Sequence, residues 1–376
     1  MDFSALTEYL NNLYNVGVPG CDLAIYRDHN LIYRHTAGFR NAERTEPVRE
    51  DDTYYLYSCS KLFTTCAAMQ LIERGSLSLD DPVYLYLPSY KELTVRDGDS
   101  VRPAKRVMTV RHLMSMQSGL DYDLDTPSLK KMIDDTNGLA TTRQLMEAKA
   151  NDPLQFEPGT DYLYSMSHDV LAAVIEVVSG KKFSEYLEDN IFTPLGISEV
   201  TFHPDKALMD RMCTQYLRHD KDGAILPCGL TNSFGKYPNF ESGGGGLTGT
   251  VADCALFTDA LACGGESGGG AHILSPQMIQ LWRSNQLGPR SRRSYDLWKG
   301  MGYSYALGVR TRVDLSCGGG GPLGEFGWDG AAGAWEMVDP TNHVSAFFAM
   351  HVRNHDYIYT IIHPTIRTLI YGGLDL

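Results

Sequence analysis

Thr53-Tyr54-Tyr55-Leu56-Tyr57-Ser58-Cys59-Ser60-Lys61, running into the apolar stretch Leu62 to Ile72, is the segment whose reading decides the fold. The residues before Ser58 are aromatic and β-prone, and those after it carry a long apolar run, so a strand passes directly into a helix. Ser58 then falls on the first helical turn, with Lys61 one turn later on the same face. A serine hydroxyl is too weakly acidic to attack a carbonyl unaided, and a lysine amine three residues on can take its proton once burial lowers the amine's pKa. The unpaired amides and positive dipole end at the helix start favour an oxyanion developing beside Ser58.

The totals bound the rest. A chain of 376 residues is long enough for one large or two intimately joined units around a sizeable core. Its 43% hydrophobic and 21% charged residues are an ordinary globular composition. The net charge of −13 counts against nucleic acid and anionic membrane surfaces as partners. The N-terminus, Met1-Asp2-Phe3-Ser4, lacks a basic region followed by an apolar run, and no segment approaches roughly 18 consecutive apolar residues, so neither signal peptide nor spanning helix is expected and the location expected is cytoplasmic. The eight cysteines contain no CxxC pair, which fits free thiols better than a disulfide framework or a zinc site.

In chain order, Phe3, Leu6, Leu10 and Leu13 share one helical face, and strands Asp22 to Tyr26 and Leu31 to His35 flank the turn Asp28-His29-Asn30. The Ser58 helix runs to Gly75, a short helix opens at Asp81-Pro82, and residues 91 to 106 read as a surface loop. Thr109 caps a helix from Val110 to Met116, and residues 121 to 150, acidic and weakly periodic, read as a cover over the helical region. Pro158-Gly159-Thr160 turns the chain toward Tyr164 and a helix from Asp169 to Val178, capped at Gly180. Thr250 with Asp253 resembles a capping box, and Arg283, Arg290, Arg292 and Arg293 lie in a polar connector. Four strands, near 305–311, 324–328, 331–338 and 344–350, precede a last helix near 361–370. Strands at both ends with helices between predict a sheet completed by the two termini around an inserted helical region.

Seven landmarks in order resemble the serine β-lactamase and penicillin-binding-protein superfamily, in the class C-like branch that includes the family VIII carboxylesterases. They are Gly17-Val18-Pro19-Gly20; Ser58 to Lys61; Gly75 through Asp80-Asp81-Pro82; Val110-Arg111-His112-Leu113-Met114-Ser115; Ser118-Gly119-Leu120; Pro158-Gly159-Thr160 before Tyr164-Ser165; and Gly245-Gly246-Leu247 leading to Asp253. The resemblance implies an α+β, β-lactamase/transpeptidase-like fold, with residues 1–57 and 297–376 forming the sheet unit, 58–296 a mainly helical one, and the active site between them. It implies Ser58 as nucleophile, Lys61 as its partner, Tyr164 as the proton-shuttling tyrosine whose pKa the lysine charge lowers, and the amides of Ser58 and Ala331 as oxyanion hole. Two positions depart from the family pattern. Met166 stands where asparagine is usual, and Trp328-Asp329-Gly330 stands where Lys-Thr-Gly or His-Thr-Gly is usual, so Met166, Trp328, Asp329 and Gly330 are the expected substrate-side residues. Without a cation at position 328, a neutral ester fits better than a carboxylate-bearing β-lactam or peptide. Asp329 is expected to point away from the oxyanion site or to meet a cation.

Several other matches carry less. Ser128-Leu129-Lys130-Lys131 repeats the SxxK spacing in a charged segment with no strand before it. Gly244-Gly245-Gly246-Leu247-Thr248-Gly249 fits GxGxxG without a βαβ unit and reads as a flexible loop beside the site. Gly265-Glu266-Ser267-Gly268-Gly269 fits a nucleophile elbow but follows a helix. His351 and His355 suggest no third ligand, and no metal or cofactor is expected. The expected function is therefore a metal-free serine hydrolase acting on small-molecule esters through an acyl-enzyme. A β-lactamase or D-aminoacyl peptidase/D,D-carboxypeptidase is the alternative enzyme, and a catalytically weak binding or scaffolding protein the alternative of another class. Oligomeric state is not legible in the sequence.

Overall fold

The computed structural model describes residues 1–298, 302–317 and 320–375. Its centre is a seven-stranded sheet, antiparallel throughout, drawn from the two ends of the chain. Across the sheet the strands run Asn30–Gly38, Gly20–Arg27, Val344–Met350, Trp335–Asp339, Phe326–Gly327, Arg310–Arg312 and Tyr303–Tyr305. Asp28 and His29, both at positive φ (49° and 63°), make the tight turn of the first hairpin, as their residue types predict. The chain thus has the mixed α+β architecture expected from the sequence, with a sheet completed by both termini.

Alternation along the central strand divides the core in two. Val344, Ala346, Phe348 and Met350 face a layer containing Leu6 and Leu10 of the helix Ser4–Asn12 and Ile366 and Ile370 of the helix His363–Gly373. Phe347 and Ala349 face the opposite way, into a larger core with Phe257 and Leu261 of the helix Val251–Ala262. With both faces covered, every residue of Val344–Met350 is buried. The larger core continues into the helices Ser60–Glu73 and Ser167–Ser179. Every residue from Ser60 to Leu71 is buried, so this helix has no solvent face and its polar groups need internal partners. No helix among the described residues is long and apolar enough to cross a membrane.

Several elements differ from the sequence reading. Residues 91–106 contain a β-hairpin, Thr94–Asp97 with Ser100–Pro103, turned at Gly98 (φ +60°). Asp97-Gly98 carried the turn signal, but the flanking charges hid a strand of which only Val95 is buried. The polar connector contains a helix, Pro289–Trp298, anchored through buried Ser291 and Tyr295, one turn apart. Arg290 pairs with Asp161, and Arg292 with Asp296, as a charged surface requires. Thr250 caps its helix through the Asp253 amide, but the Asp253 carboxylate accepts from Ser198 and Glu199 instead of closing a capping box. Reciprocal caps lie elsewhere, one of them where Thr109 Oγ1 accepts from the His112 amide while His112 Nδ1 accepts from the Thr109 amide.

His351 ends the central strand wholly buried. A carbonyl can only accept, so the 2.9 Å contact to the Cys213 oxygen puts the ring proton on Nδ1, and buried Nε2 has no hydrogen-bond partner among the described residues. Burial drives its pKa down to about 4. The unfolded chain takes up this proton first, near the ordinary value of about 6.5, so stability falls as pH drops. Relative to His351→Asn, which does not titrate, the wild type is expected to lose up to about 3 kcal/mol of stability between about pH 6.5 and 4. Paired urea melts across that range check this, and parallel curves would contradict it.

Candidate active site

Ser58 sits on the short 3-10 turn Tyr57–Cys59, between the strand Thr53–Tyr55 and the helix Ser60–Glu73. That strand pairs antiparallel with Thr248–Thr250, which brings two distant parts of the chain to the same turn. Tyr57 holds a left-handed conformation (φ +46°), costly for a bulky residue, and its hydroxyl is fixed 2.5 Å from Gln215 Oε1. Between Asp52 and Leu71 only Ser58 is even partly exposed. Ser58 is therefore the most open residue of this segment.

Beneath it Lys61 is fully buried, with Nζ 3.1 Å from Ser58 Oγ, 2.9 Å from the Tyr122 hydroxyl and 2.5 Å from the Gly244 carbonyl. Three acceptors satisfy an ammonium, yet burial still drives its pKa down to about 7, opposed by the Asp169 carboxylate. A substantial neutral fraction is present near neutrality. Nζ also lies 4.6 Å from the Tyr164 ring centre and 5.3 Å from that of Tyr122, so two aromatic faces enclose the amine. The Tyr164 hydroxyl accepts from Trp328 Nε1 at 2.9 Å, and hydrogen bonding toward Ser58 works to lower the pKa of both it and Tyr122. Burial pushes the Tyr164 phenol well above its ordinary value despite these hydrogen bonds. The expected lowering by a lysine charge does not occur, because desolvation outweighs it and the same burial discharges part of Lys61.

The sequence matches the Beta-lactamase family over residues 6–357. The chain belongs to the beta-lactamase family. Protein Rv1367c of Mycobacterium tuberculosis is 27% identical over 343 residues, covering 86% of this chain and 83% of that one. Esterase EstB of Burkholderia gladioli is 28% identical over 265 residues, covering 64% of this chain and 65% of EstB. The structure titled "EstCE1, a hydrolase with promiscuous acyltransferase activity" superposes with a TM-score of 0.80 at 24% identity over 98% of both chains, a likeness of fold.

In this beta-lactamase-family chain the run Gly243 to Gly246 is buried and packed on the site, not a flexible loop at its border. A Cβ on Gly244 would lie 2.6 Å from Asp169 Oδ2 and 3.0 Å from the Tyr122 hydroxyl, so only glycine lets this backbone reach Lys61. Asp169, fully buried, accepts from the Gly244 amide at 3.1 Å and from the Ser242 hydroxyl, while its Oδ2 has no hydrogen-bond partner among the described residues. It fixes the backbone whose carbonyl receives Lys61.

The other predicted residues divide. Gly330 meets the Ser58 segment closely: a Cβ there would sit 2.3 Å from the Leu56 carbonyl, and the Gly330 carbonyl accepts from the Tyr359 hydroxyl at 3.0 Å. Next to it Ala331 is exposed, and among the described residues neither its amide nor that of Ser58 donates to a backbone carbonyl. Asp329 is half-buried and lines a cleft with Arg310, a cation its charge helps hold protonated. Trp328 and Met166 are each 1% exposed and belong to the core. Met166 caps the start of the helix that carries Asp169, with its amide donating to the Asp121 carbonyl.

Sequence reasoning missed Tyr122 and Asp169. Tyr122 lies in the segment without pattern, and its one signal was its place two residues beyond Ser118-Gly119-Leu120. Gly244→Ala is expected to cost about 1–3 kcal/mol of stability by forcing the loop off Asp169 and Tyr122. Chemical denaturation of the two proteins checks this, and an unchanged midpoint would mean the loop yields without strain.

Proposed function

We propose that the protein is a serine carboxylesterase in which Ser58 is the nucleophile, Lys61 its base and Tyr164 the proton relay. The observation that carries the reading is the Lys61–Ser58 contact of 3.1 Å, made by an amine that burial brings to about 7. Neutral Lys61 takes the Ser58 proton as Oγ bonds to the ester carbonyl, and the amides of Ser58 and Ala331 receive the oxyanion. Collapse expels the alcohol, protonated through the Tyr164 phenol, and leaves an acyl-enzyme. Water then adds by the same route, with its proton passing to Lys61 and from there to Ser58 Oγ as the Oγ–acyl bond breaks and the acid departs. A phenol with a raised pKa suits this role, as it gives up its proton only when another arrives. Trp328 orients it through the 2.9 Å hydrogen bond, and Tyr122 holds the Lys61 amine from the other side.

Trp328 in place of a cation supports neutral esters as substrates over carboxylate-bearing β-lactams, which remain the alternative together with D-amino acid peptides. The names of EstB, an esterase, and EstCE1, a hydrolase that also transfers acyl groups, support the same class, while other relatives are named acyltransferases. The proposed division places these groups between a sheet unit, 1–57 with 297–376, and a helical unit, 58–296. A reducing, cytoplasmic setting is supported by the eight free cysteines.

Turnover of p-nitrophenyl acetate and butyrate beside a chromogenic cephalosporin tests the reading. Rapid ester hydrolysis with the cephalosporin inert is expected, and Ser58→Ala is expected to lose roughly 10⁶-fold in turnover if the residues act as a unit. Retained turnover in that variant contradicts the assignment, and rapid cephalosporin hydrolysis favours the alternative. The pH dependence tests Lys61. Because the neutral amine is the active form, kcat/KM for the ester is expected to rise with pH through a midpoint near 7. The Asp169 charge raises the lysine pKa, so Asp169→Asn should move this limb to lower pH, whereas an unmoved limb would remove Asp169 from the account.

A further inference from the structure

Away from Ser58, three metal-ligating side chains of different chemistry converge where the first hairpin meets the helix Val251–Ala262. His29 occupies the hairpin turn, Asp259 lies in the last helical turn and Cys263 is the C-cap residue, four positions after Asp259 and on the same side. His29 Nδ1 is 2.8 Å from Asp259 Oδ2, Cys263 Sγ is 3.8 Å from Asp259 Oδ1, and the three ligand atoms all lie within 4.8 Å of one another. Asp259 is nearly buried, His29 is about one-third exposed and Cys263 is half-buried, so the group has an inner wall and an open side. That open side is a cleft of about 410 Å³ lined by Tyr26, His29, Asp259, Ser267, Gly268 and Gly269.

We propose that His29, Asp259 and Cys263 form a binding site for a divalent, borderline-soft cation of the zinc type, with water in the fourth position. One imidazole, one carboxylate and one thiol are the donors such an ion takes, and three protein ligands beside an open cleft match a tetrahedral site that keeps an exchangeable position. At zinc bond lengths the donors of a tetrahedral ion stand about 3.3–3.8 Å apart, so the His29–Asp259 pair opens slightly and Cys263 turns inward. Both elements are held in place independently, the turn by its positive φ values and Asp259 by the helix. On binding the dication, Cys263 releases its thiol proton to solvent. Asp28 adds a further negative charge nearby while pairing with His343 at 2.8 Å. The bound ion would fasten the hairpin to the helix that follows the strand Thr248–Thr250 paired with the Ser58 segment.

The full-length protein, reduced and stripped with a chelator, is titrated with cobalt(II) chloride and then with zinc. The expected result is one equivalent of cobalt with a thiolate-to-cobalt charge-transfer absorption in the near ultraviolet, displaced by zinc, and a melting temperature that rises with zinc. Cys263→Ser should abolish the absorption, and His29→Asn, which keeps a residue tolerant of the left-handed turn, should weaken binding by about tenfold or more. Ester turnover by both variants reports that they fold. No charge-transfer absorption in the wild type, or one that survives in Cys263→Ser, would overturn the proposal.

Discussion

The site is organised around the burial of one amine. Lys61 has no exposed surface, and an ammonium there loses its hydration; three acceptors, two aromatic faces and the Asp169 carboxylate compensate incompletely. The imbalance is useful. It leaves the amine near half-charged at neutrality, where a base is most effective, instead of three pH units away on its ordinary pKa of about 10.4. The surroundings then follow as requirements of that burial: a helix packed on all sides, a run of glycines close enough to supply a carbonyl, and a carboxylate that holds the run in place.

The same constraint explains why the tyrosines behave as they do. Tyr164 and Tyr122, each partly buried, pack against Lys61, and burial raises both phenols while lowering the amine. In the proposed mechanism one desolvation therefore separates the roles, with the nitrogen as proton acceptor and the phenols as proton-holding groups. Trp328 belongs to this arrangement more than to the substrate wall, since it is almost fully buried and spends its only donor on Tyr164. In the proposed mechanism its part is to orient the Tyr164 phenol.

Legibility followed locality. Ser58 and Lys61 are one helical turn apart, and the spacing of strand, serine and lysine announces them; the N-terminal hairpin and Val344–Met350 were equally plain, whereas 305–311, read as one strand, is two, Tyr303–Tyr305 and Arg310–Arg312, turned at Gly308 (φ +97°). Tyr164 and Trp328 came from motif context, which also supplied the fold. Tyr122 was hidden because a single tyrosine in an acidic, unpatterned segment gives no sign of which side chain it will meet. Asp169 was read as a helix residue and not as the partner of Ser242 and Gly244, more than seventy positions away. The hairpin at 94–103 and the helix at 289–298 were missed for another reason: each buries too few side chains to leave a pattern. His29, Asp259 and Cys263 show the limit most clearly, since two of the ligands share a helical turn and the third lies 230 residues away.

The central claim is that the acyl group is carried by Ser58. Acid quenching of the enzyme during ester turnover, followed by proteolysis and mass spectrometry, reads this directly. The account predicts one added acyl group on the peptide containing Ser58-Cys59-Ser60-Lys61, with fragmentation placing it on Ser58. An acyl group on Ser60, on Tyr164 or on any other peptide, with Ser58 unmodified, would contradict it.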